Sequence, residues 1–223
     1  MLRVRILHAG EPRWGELKDD GVILLDGGTE VAADGAHWLA PAEPTKIIAV
    51  HLTYQSRLTE YAAKTPPEPS YFMKPPTTLN GHLGELRRPR GTRFLNYEGE
   101  IAVIVGREMK GVAPERVHEH VAGFAPANDV GLHDFRHADR GSMLRVKGQD
   151  GFLPMGPAMV TADQWTPDGG FELTTRINGE VVQHGDGPDL IWDYRYQLAD
   201  LCRVITLVPG DVVLTGTPAN SRP

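Results

Sequence analysis

The run Glu98-Gly99-Glu100-Ile101-Ala102-Val103-Ile104-Val105 is the clearest strand in the sequence, and no other segment constrains the fold as much. A period of two places Ile101, Val103 and Val105 on one face and Glu98, Glu100, Ala102 and Ile104 on the other. Shorter runs read as further strands: Arg3 to Leu7, Gly21 to Leu25, Lys46 to His51, Ser70 to Lys74, Phe124 to Val130, Phe171 to Ile177 and Val212 to Leu214. Asp26-Gly27-Gly28 and Asn178-Gly179 supply turns. The chain holds 25 glycines and 18 prolines, which suits a turn-rich, strand-rich α+β fold better than a helical bundle. Helical spacing runs from Tyr54 to Ala62, briefly from Pro114 to Ala122, and at greatest length from Leu190 to Ile205. Pro41-Ala42-Glu43-Pro44 reads as a linker, which divides residues 1–45 from residues 46–223.

The formal net charge of -6 and the lack of a basic stripe with interleaved aromatics argue against a nucleic-acid partner. No apolar run approaches the roughly 18 residues that a membrane span needs, so no membrane partner is expected. The N-terminus alternates like a strand rather than a signal peptide. A single cysteine, Cys202, excludes an internal disulfide and fits a reducing cytoplasm. It falls inside the longest helical pattern, where a buried structural thiol is the expectation.

Glu98 and Glu100 lie two residues apart, so their side chains project the same way from backbone positions about 6–7 Å apart. Their strand is otherwise apolar, and two partly buried like charges repel and lose hydration. A divalent cation between them removes both penalties. Oxygen donors favour Mg²⁺, Mn²⁺ or Ca²⁺ over zinc. Asp129, after the nearly uncharged Phe124-Ala125-Pro126-Ala127-Asn128, is the natural third ligand. On spacing alone, a solvent-facing edge strand explains the two glutamates better, and a turn explains Asp129 better.

The histidines offer a rival zinc site: His133 with His137, or His118 with His120, plus a carboxylate. Neither pair has a cysteine or a Glu at the H-E-x-x-H spacing, so exposed polar histidines are expected. There is no G-x-S-x-G elbow, no G-x-G-x-x-G and no Walker loop.

Taken together, several stretches are more specific. Asn96-Tyr97-Glu98-Gly99-Glu100-Ile101-Ala102-Val103-Ile104-Val105-Gly106 resembles the metal-binding strand of the fumarylacetoacetate hydrolase family. Ala127-Asn128-Asp129-Val130 resembles the segment giving that family's third carboxylate, and Lys147 through Pro157 resembles its lysine-containing stretch. Phe72-Met73-Lys74-Pro75 and Gly216-Thr217-Pro218 fit as well, in the family's order, over about residues 46–218. The resemblance implies a mixed β-sandwich roll with a few helices, with residues 1–45 as a small N-terminal β domain and residues 46–223 as the catalytic domain. It implies a homodimer, and Mg²⁺ or Mn²⁺ on Glu98, Glu100 and Asp129. Small 2-oxo or enol acids from aromatic-compound catabolism are the implied substrates.

Two departures matter. Where many hydrolytic and decarboxylating members carry G-x-N-Y-x-x-H-x-x-E, this sequence has His51-Leu52-Thr53-Tyr54-Gln55-Ser56-Arg57-Leu58-Thr59-Glu60. Arg57 replaces the histidine, and an arginine stays protonated and cannot act as a base near neutral pH. The chain also stops five residues after Pro218, where relatives continue for another strand or two, so the C-terminal end is either truncated or different. In motif the chain is most similar to the isomerase/decarboxylase branch of homoprotocatechuate degradation, which also lacks the usual histidine.

An enolate mechanism is therefore expected, leading to isomerisation or decarboxylation. C–C hydrolysis is the alternative, and a non-catalytic metal or acid binder a second one. Lys147 would add a positive contact, or else be a surface lysine. Tyr54 falls in the matching motif as a substrate contact, and Glu60 would move a proton, or else be a solvated helix residue. Arg57 and Arg136 would clamp a distal carboxylate, or else form surface ion pairs. Thr217 would bind the substrate carboxylate, or else serve a turn.

Overall fold

The structure, a computed structural model, describes residues 1–222. Five short strands open the chain: β1 (Leu2–His8), β2 (Glu11–Leu17), β3 (Val22–Leu25), β4 (Glu30–Ala32) and β5 (His37–Leu39). Strand β6 (Ile47–His51), helix α1 (Gln55–Glu60) and β7 (Ser70–Lys74) follow. The two-residue strands β8 (Leu79–Asn80) and β9 (Leu95–Asn96) precede β10 (Gly99–Val105). A 3₁₀ turn at Pro114–His120 leads into β11 (Val121–Asn128) and β12 (Gly131–Leu132). Helices α2 (Arg136–Asp139) and α3 (Leu144–Lys147) come before β13 (Leu153–Pro154) and β14 (Ala158–Thr161). Last come the hairpin β15 (Glu172–Ile177) and β16 (Glu180–Asp186), helix α4 (Tyr194–Val204) and β17 (Val212–Leu214).

One eleven-stranded sheet organises these elements in the order β4-β3-β2-β1-β14-β11-β10-β17-β6-β7, with β5 also paired to β1. Its pairs are antiparallel except β17 with β6, which run parallel. The class is thus the expected β-rich α+β, with a mixed sheet. The strands of residues 1–45 continue the large sheet through Leu2–Val4 of β1 against Ala158–Val160 of β14. They bury an apolar cluster of their own around Val4, Ile6, Ile23 and Leu25.

Strand β10 lies inside the sheet, between β11 and β17, and all seven of its residues are buried. This rules out the edge-strand reading of its glutamates. Ile101, Val103 and Val105 pack with Leu198, Leu201 and Cys202 of α4. Ala102 and Ile104 pack on the other side with Ile47, Ala49 and Leu214. The alternation read from sequence therefore fills two cores, each fully buried Val or Ile contributing about 1.5–3 kcal/mol.

Helix α4 starts later than its periodicity suggested. The Asp193 carboxylate accepts from the Tyr196 N–H at 2.8 Å and caps the first turn, which leaves Leu190 in the preceding turn. Ile205 is extended and also lies outside the helix. Cys202 is buried, as expected.

The Pro209-Gly210-Asp211 turn does more than reverse the chain. Asp211 Oδ1 accepts from the backbone N–H groups of Thr45 and Lys46, each at 3.1 Å, and from the Thr45 hydroxyl at 2.7 Å. Its Oδ2 accepts from the Val208 N–H at 2.8 Å and from the Lys46 ammonium. The carboxylate thereby ties the start of β6 to the start of β17. Burial pushes its pKa up, but the bonds from Lys46, Val208 and Thr45 outweigh this and hold it below the usual range. Asp211→Ala is expected to cost about 3 kcal/mol or more, because it leaves a half-buried ammonium and several N–H groups unpaired. A urea midpoint shift worth under about 1 kcal/mol would contradict this role.

Candidate metal centre and its cavity

The register of β10 against β11 builds the acidic cluster. Gly99 pairs with Asn128, so the residue entering β10 and the residue leaving β11 are neighbours. The Asp129 N–H donates to the Glu98 carbonyl at 2.8 Å, and the Glu98 N–H donates to Asn128 Oδ1 at 2.9 Å. Glu100 follows two residues along the strand on the same face. Carboxylate oxygens of Glu98, Glu100 and Asp129 lie within 4.8 Å of one another. Among the described residues no other group of His, Cys, Asp and Glu converges in this way, so neither histidine pair forms a zinc site.

Beyond β17, the Gly216 N–H donates to Glu100 Oε2 at 2.7 Å. Gly216 has φ +97°, and a Cβ there would lie 1.9 Å from Thr53 Oγ1, so only glycine brings this N–H to the carboxylate.

Two buried lysines flank the acids. Lys147 Nζ donates to Glu98 Oε2 at 2.7 Å and to the Asp129 carbonyl at 2.6 Å. Lys74 Nζ donates to Asp129 Oδ1 at 2.5 Å and to the Lys147 carbonyl at 2.6 Å. Lys147 is therefore not a surface residue. Burial alone would lower its pKa, but Asp129 and Glu98 raise it well above the ordinary lysine range. Asp129 is pushed up by burial, yet Lys147 and Lys74 outweigh this and hold it below the usual range. Glu100 has no such partner. Burial, then the charges of Asp129 and Glu98, hold its carboxyl well above the usual range.

These features fit a hard divalent cation. All three donors are carboxylate oxygens. Asp129 Oδ2 is buried 2.9 Å from Lys147 Nζ yet accepts no hydrogen bond. Glu100 is a buried acid lacking the positive charge that would keep it ionised.

The same three acids line a cavity of about 470 Å³, together with Lys147, Arg57, Arg136, Thr217, His51 and His133. Thr217 donates to the Gly99 carbonyl at 3.0 Å, which fixes it beside the strand. Arg136 is exposed, and its guanidinium lies 5.1 Å from the Tyr61 ring centre. Arg57 covers the same ring at 4.5 Å but is buried. It pairs with Glu60 at 2.5 Å and lies 3.6 Å from Glu98. The pair is half-buried, with the arginine inside and the glutamate at the surface. Glu60 is itself outside the cavity wall and accepts from the Asn220 N–H at 3.3 Å. Tyr54 is fully buried, also outside the cavity wall, and its hydroxyl has no partner.

Two residues that sequence reasoning gave no role, Lys74 and His51, belong here, as does His133, which it offered only to a zinc site. Lys74 shares the buried face of β7 with Phe72, a period-two signal readable in Ser70 to Lys74. His133 was expected to be exposed, but it is half-buried and lines the cavity. His51 closes β6 and lies against Phe72, ring centres 4.6 Å apart. Burial lowers the pKa of both histidines.

Comparison with known proteins agrees with this architecture. Residues 46–223 match the family described as fumarylacetoacetate (FAA) hydrolase, C-terminal, and residues 1–41 match one described as Rv2993c-like, N-terminal. The chain belongs to the fumarylacetoacetate hydrolase family. It is 36% identical over 215 residues to an uncharacterised protein of Archaeoglobus fulgidus, covering 96% of this chain and 84% of that one. It is 34% identical over 217 residues to a 4-hydroxyphenylacetate degradation bifunctional isomerase/decarboxylase of Salmonella dublin. That alignment covers 97% of this chain and 49% of the relative, so the chain spans about half the enzyme's length. A crystal structure of 5-carboxymethyl-2-hydroxymuconate delta-isomerase from Mycobacterium smegmatis superposes with a TM-score of 0.89 at 32% identity, covering 100% of this chain and 90% of that one. Family membership and these relatives support an enzyme.

Proposed function

We propose that this chain is a divalent-metal-dependent enzyme that isomerises or decarboxylates a small 2-oxo or 2-hydroxydienoic acid in aromatic-compound catabolism. The observation that carries this reading is an acidic triad, Glu98, Glu100 and Asp129, set in the wall of a cavity that also holds Arg136 and Lys147. These acids would hold Mg²⁺ or Mn²⁺. The cation supplies Lewis acidity, which stabilises negative charge on the oxygen beside the substrate carboxylate.

The remaining roles follow from the side chains. Lys147 is fixed by Glu98 and Asp129, so it holds two of the acids in place and adds permanent positive charge. Arg136 forms no salt bridge among the described residues and faces the cavity, so it is the guanidinium free to take a distal carboxylate. Arg57 is committed to Glu60 and Glu98 and shapes the wall instead. The Thr217 hydroxyl is already donated to the Gly99 carbonyl and accepts from Gln183, so Thr217 shapes the cavity wall rather than bonding a substrate carboxylate through its side chain. The relatives' printed names, an isomerase/decarboxylase and a delta-isomerase, support the same choice.

Hydrolysis needs a base to activate water. The pair that many hydrolytic members use is lost here: Arg57 cannot act as a base, and Glu60 lies outside the cavity wall in an ion pair. The ion-paired burial of Arg57 is the one feature that favours a non-catalytic acid binder, and the cavity beside the triad weighs against it. A cytoplasmic homodimer belongs to the same proposal. Among the described residues no helix is long and apolar enough to cross a membrane.

The test is an assay with Mg²⁺ or Mn²⁺ against a panel of 2-oxo and 2-hydroxydienoic acids, following dienol absorbance and CO₂ release. Turnover of at least one acid, abolished by EDTA, is expected. Metal binding without turnover of any acid would leave the non-catalytic reading standing.

A further inference from the structure

The cavity contains two imidazoles that the reading above does not use. His51 is the last residue of β6, and His133 begins the turn after β12, so they reach the cavity from different parts of the chain. Among the described residues only His118 and His120 bond protein through a ring nitrogen. The nitrogens of His51 and His133 are therefore uncommitted. Their rings are nevertheless positioned. His51 lies against the buried Phe72, which also lines the cavity, with ring planes at 40°. The backbone at His133 is pinned by its N–H to the Phe94 carbonyl at 2.9 Å. Directly after His51, Leu52 has φ +52°, a left-handed conformation that a leucine rarely adopts, and it too lines the cavity.

We propose that His51 and His133 are the proton-transfer pair of this site. The proposal rests on the metal-dependent 2-oxo acid reading. A base within the cavity is needed to move hydrogen between carbon and oxygen. The acids of the triad are committed to the cation, and Lys147 and Arg57 hold their protons. Histidine alone has an ordinary pKa that lets it give and take a proton near neutral pH. One neutral ring accepts a proton from the carbon next to the 2-oxo group as the C–H bond breaks and the enolate forms. The other ring, protonated on both nitrogens as the imidazolium, gives one proton to the enolate, at oxygen or at a carbon further along a conjugated chain, and becomes neutral. The substrate loses one proton and gains one, so the step is an isomerisation without oxidation or a co-reactant. The two rings return to their starting states by exchanging protons with solvent. In a decarboxylation the donating ring protonates the carbon from which CO₂ has left.

The test follows hydrogen–deuterium exchange at C3 of 2-oxoglutarate in D₂O by proton NMR, with Mn²⁺-free Mg²⁺ buffer and the intact chain. Calorimetry measures 2-oxoglutarate binding to the Mg²⁺-loaded protein. The wild type is expected to accelerate exchange. If it binds Mg²⁺ and 2-oxoglutarate and fails to do so, this proposal falls, while the functional reading stands or falls on the acid panel. His51→Gln and His133→Gln are each expected to slow exchange about 100-fold or more while 2-oxoglutarate affinity changes less than threefold. His184→Gln, on exposed β16, is the control and should exchange like the wild type. Because a glutamine could disturb folding, His51→Ala and His133→Ala are assayed with added imidazole, and recovery of exchange is expected. Exchange within threefold of wild type in both glutamine variants would overturn the pair and leave the metal-dependent reading intact. Loss of exchange matched by equal loss of affinity, without imidazole recovery, would also overturn it, making the rings binding groups.

Discussion

Without divalent cations, Glu100→Gln is expected to unfold at a higher temperature than the wild type, and added Mn²⁺ is expected to leave it unchanged. Both effects come from one carboxyl. Glu100 is 2% exposed and is held well above its ordinary value of 4.5 by burial and by the charges of Asp129 and Glu98. The folded protein therefore binds more protons at this group than the unfolded chain. Its stabilising contribution is full below pH 4.5 and is lost as pH rises through the raised value. Above the raised value an ionised Glu100 is a burden that an amide lacks, while the amide oxygen can still accept the Gly216 N–H. Asp129 has the opposite sign. Its pKa is depressed, so its contribution is present above the ordinary 3.8 and lost on acidification. The apo wild type should thus gain from mild acidification through Glu100 before strong acid removes the Asp129 contribution. With cation the order reverses. At a hundred times its dissociation constant, Mn²⁺ adds about 2.7 kcal/mol to the wild type, and Glu100→Gln forfeits it. Thermal unfolding in EDTA and in excess Mn²⁺ measures both. A variant less stable than wild type in EDTA, or still stabilised by Mn²⁺, would remove Glu100 from the metal site.

The second large effect is on folding itself. Lys74→Met should cost about 3–5 kcal/mol, the range for removing one partner of a buried ion pair. Lys74 is 1% exposed, and its ammonium donates to Asp129 and to the carbonyls of Lys147 and Phe152. Methionine fills the volume but leaves Asp129 relying on Lys147 and leaves two carbonyls short of a donor. A single neutral hydrogen bond is worth only about 1 kcal/mol, so the charge dominates. Urea unfolding should show a lower midpoint at unchanged slope. The double variant with Asp129→Asn should lose less than the two single losses together, since both remove the same pair. A loss below about 1 kcal/mol, or strict additivity, would show that the pair is not the clamp described.

Much of this centre was legible in the residues, because strand periodicity is a local property. The alternation of Ile101, Val103 and Val105 against Ala102 and Ile104 could be read directly, and it proved to divide two cores. Its position inside the sheet could not be read, since the flanking strands β11 and β17 come from elsewhere in the chain. That position is what separates a pair of solvated glutamates from a buried acidic site. The two lysines show the same limit. Lys74 and Phe72 share a face by simple alternation. That Lys74 and Lys147 meet at Asp129 depends on α3 packing against the sheet, which no local pattern encodes. His51 and His133 were missed for a related reason. Nothing near either residue marks it as facing a cavity. Arg57 and Glu60, by contrast, stood in a recognisable motif, yet the structure pairs them with each other and leaves Glu60 outside the wall.

Strand β17 lies between β10 and β6, although both are made long before it. A nascent chain must therefore leave the ribosome with a slot at the middle of its main sheet. The pairs Val212–Ile47 and Ala102–Leu214 join segments far apart in sequence. Such long-range closure makes for slow, topology-limited folding. Until Val212–Leu214 slides in, Glu100 has no Gly216 N–H to meet, although β10 and β11 already bring the three acids together. Glu100 therefore gains its backbone anchor last, after the acidic cluster itself has formed.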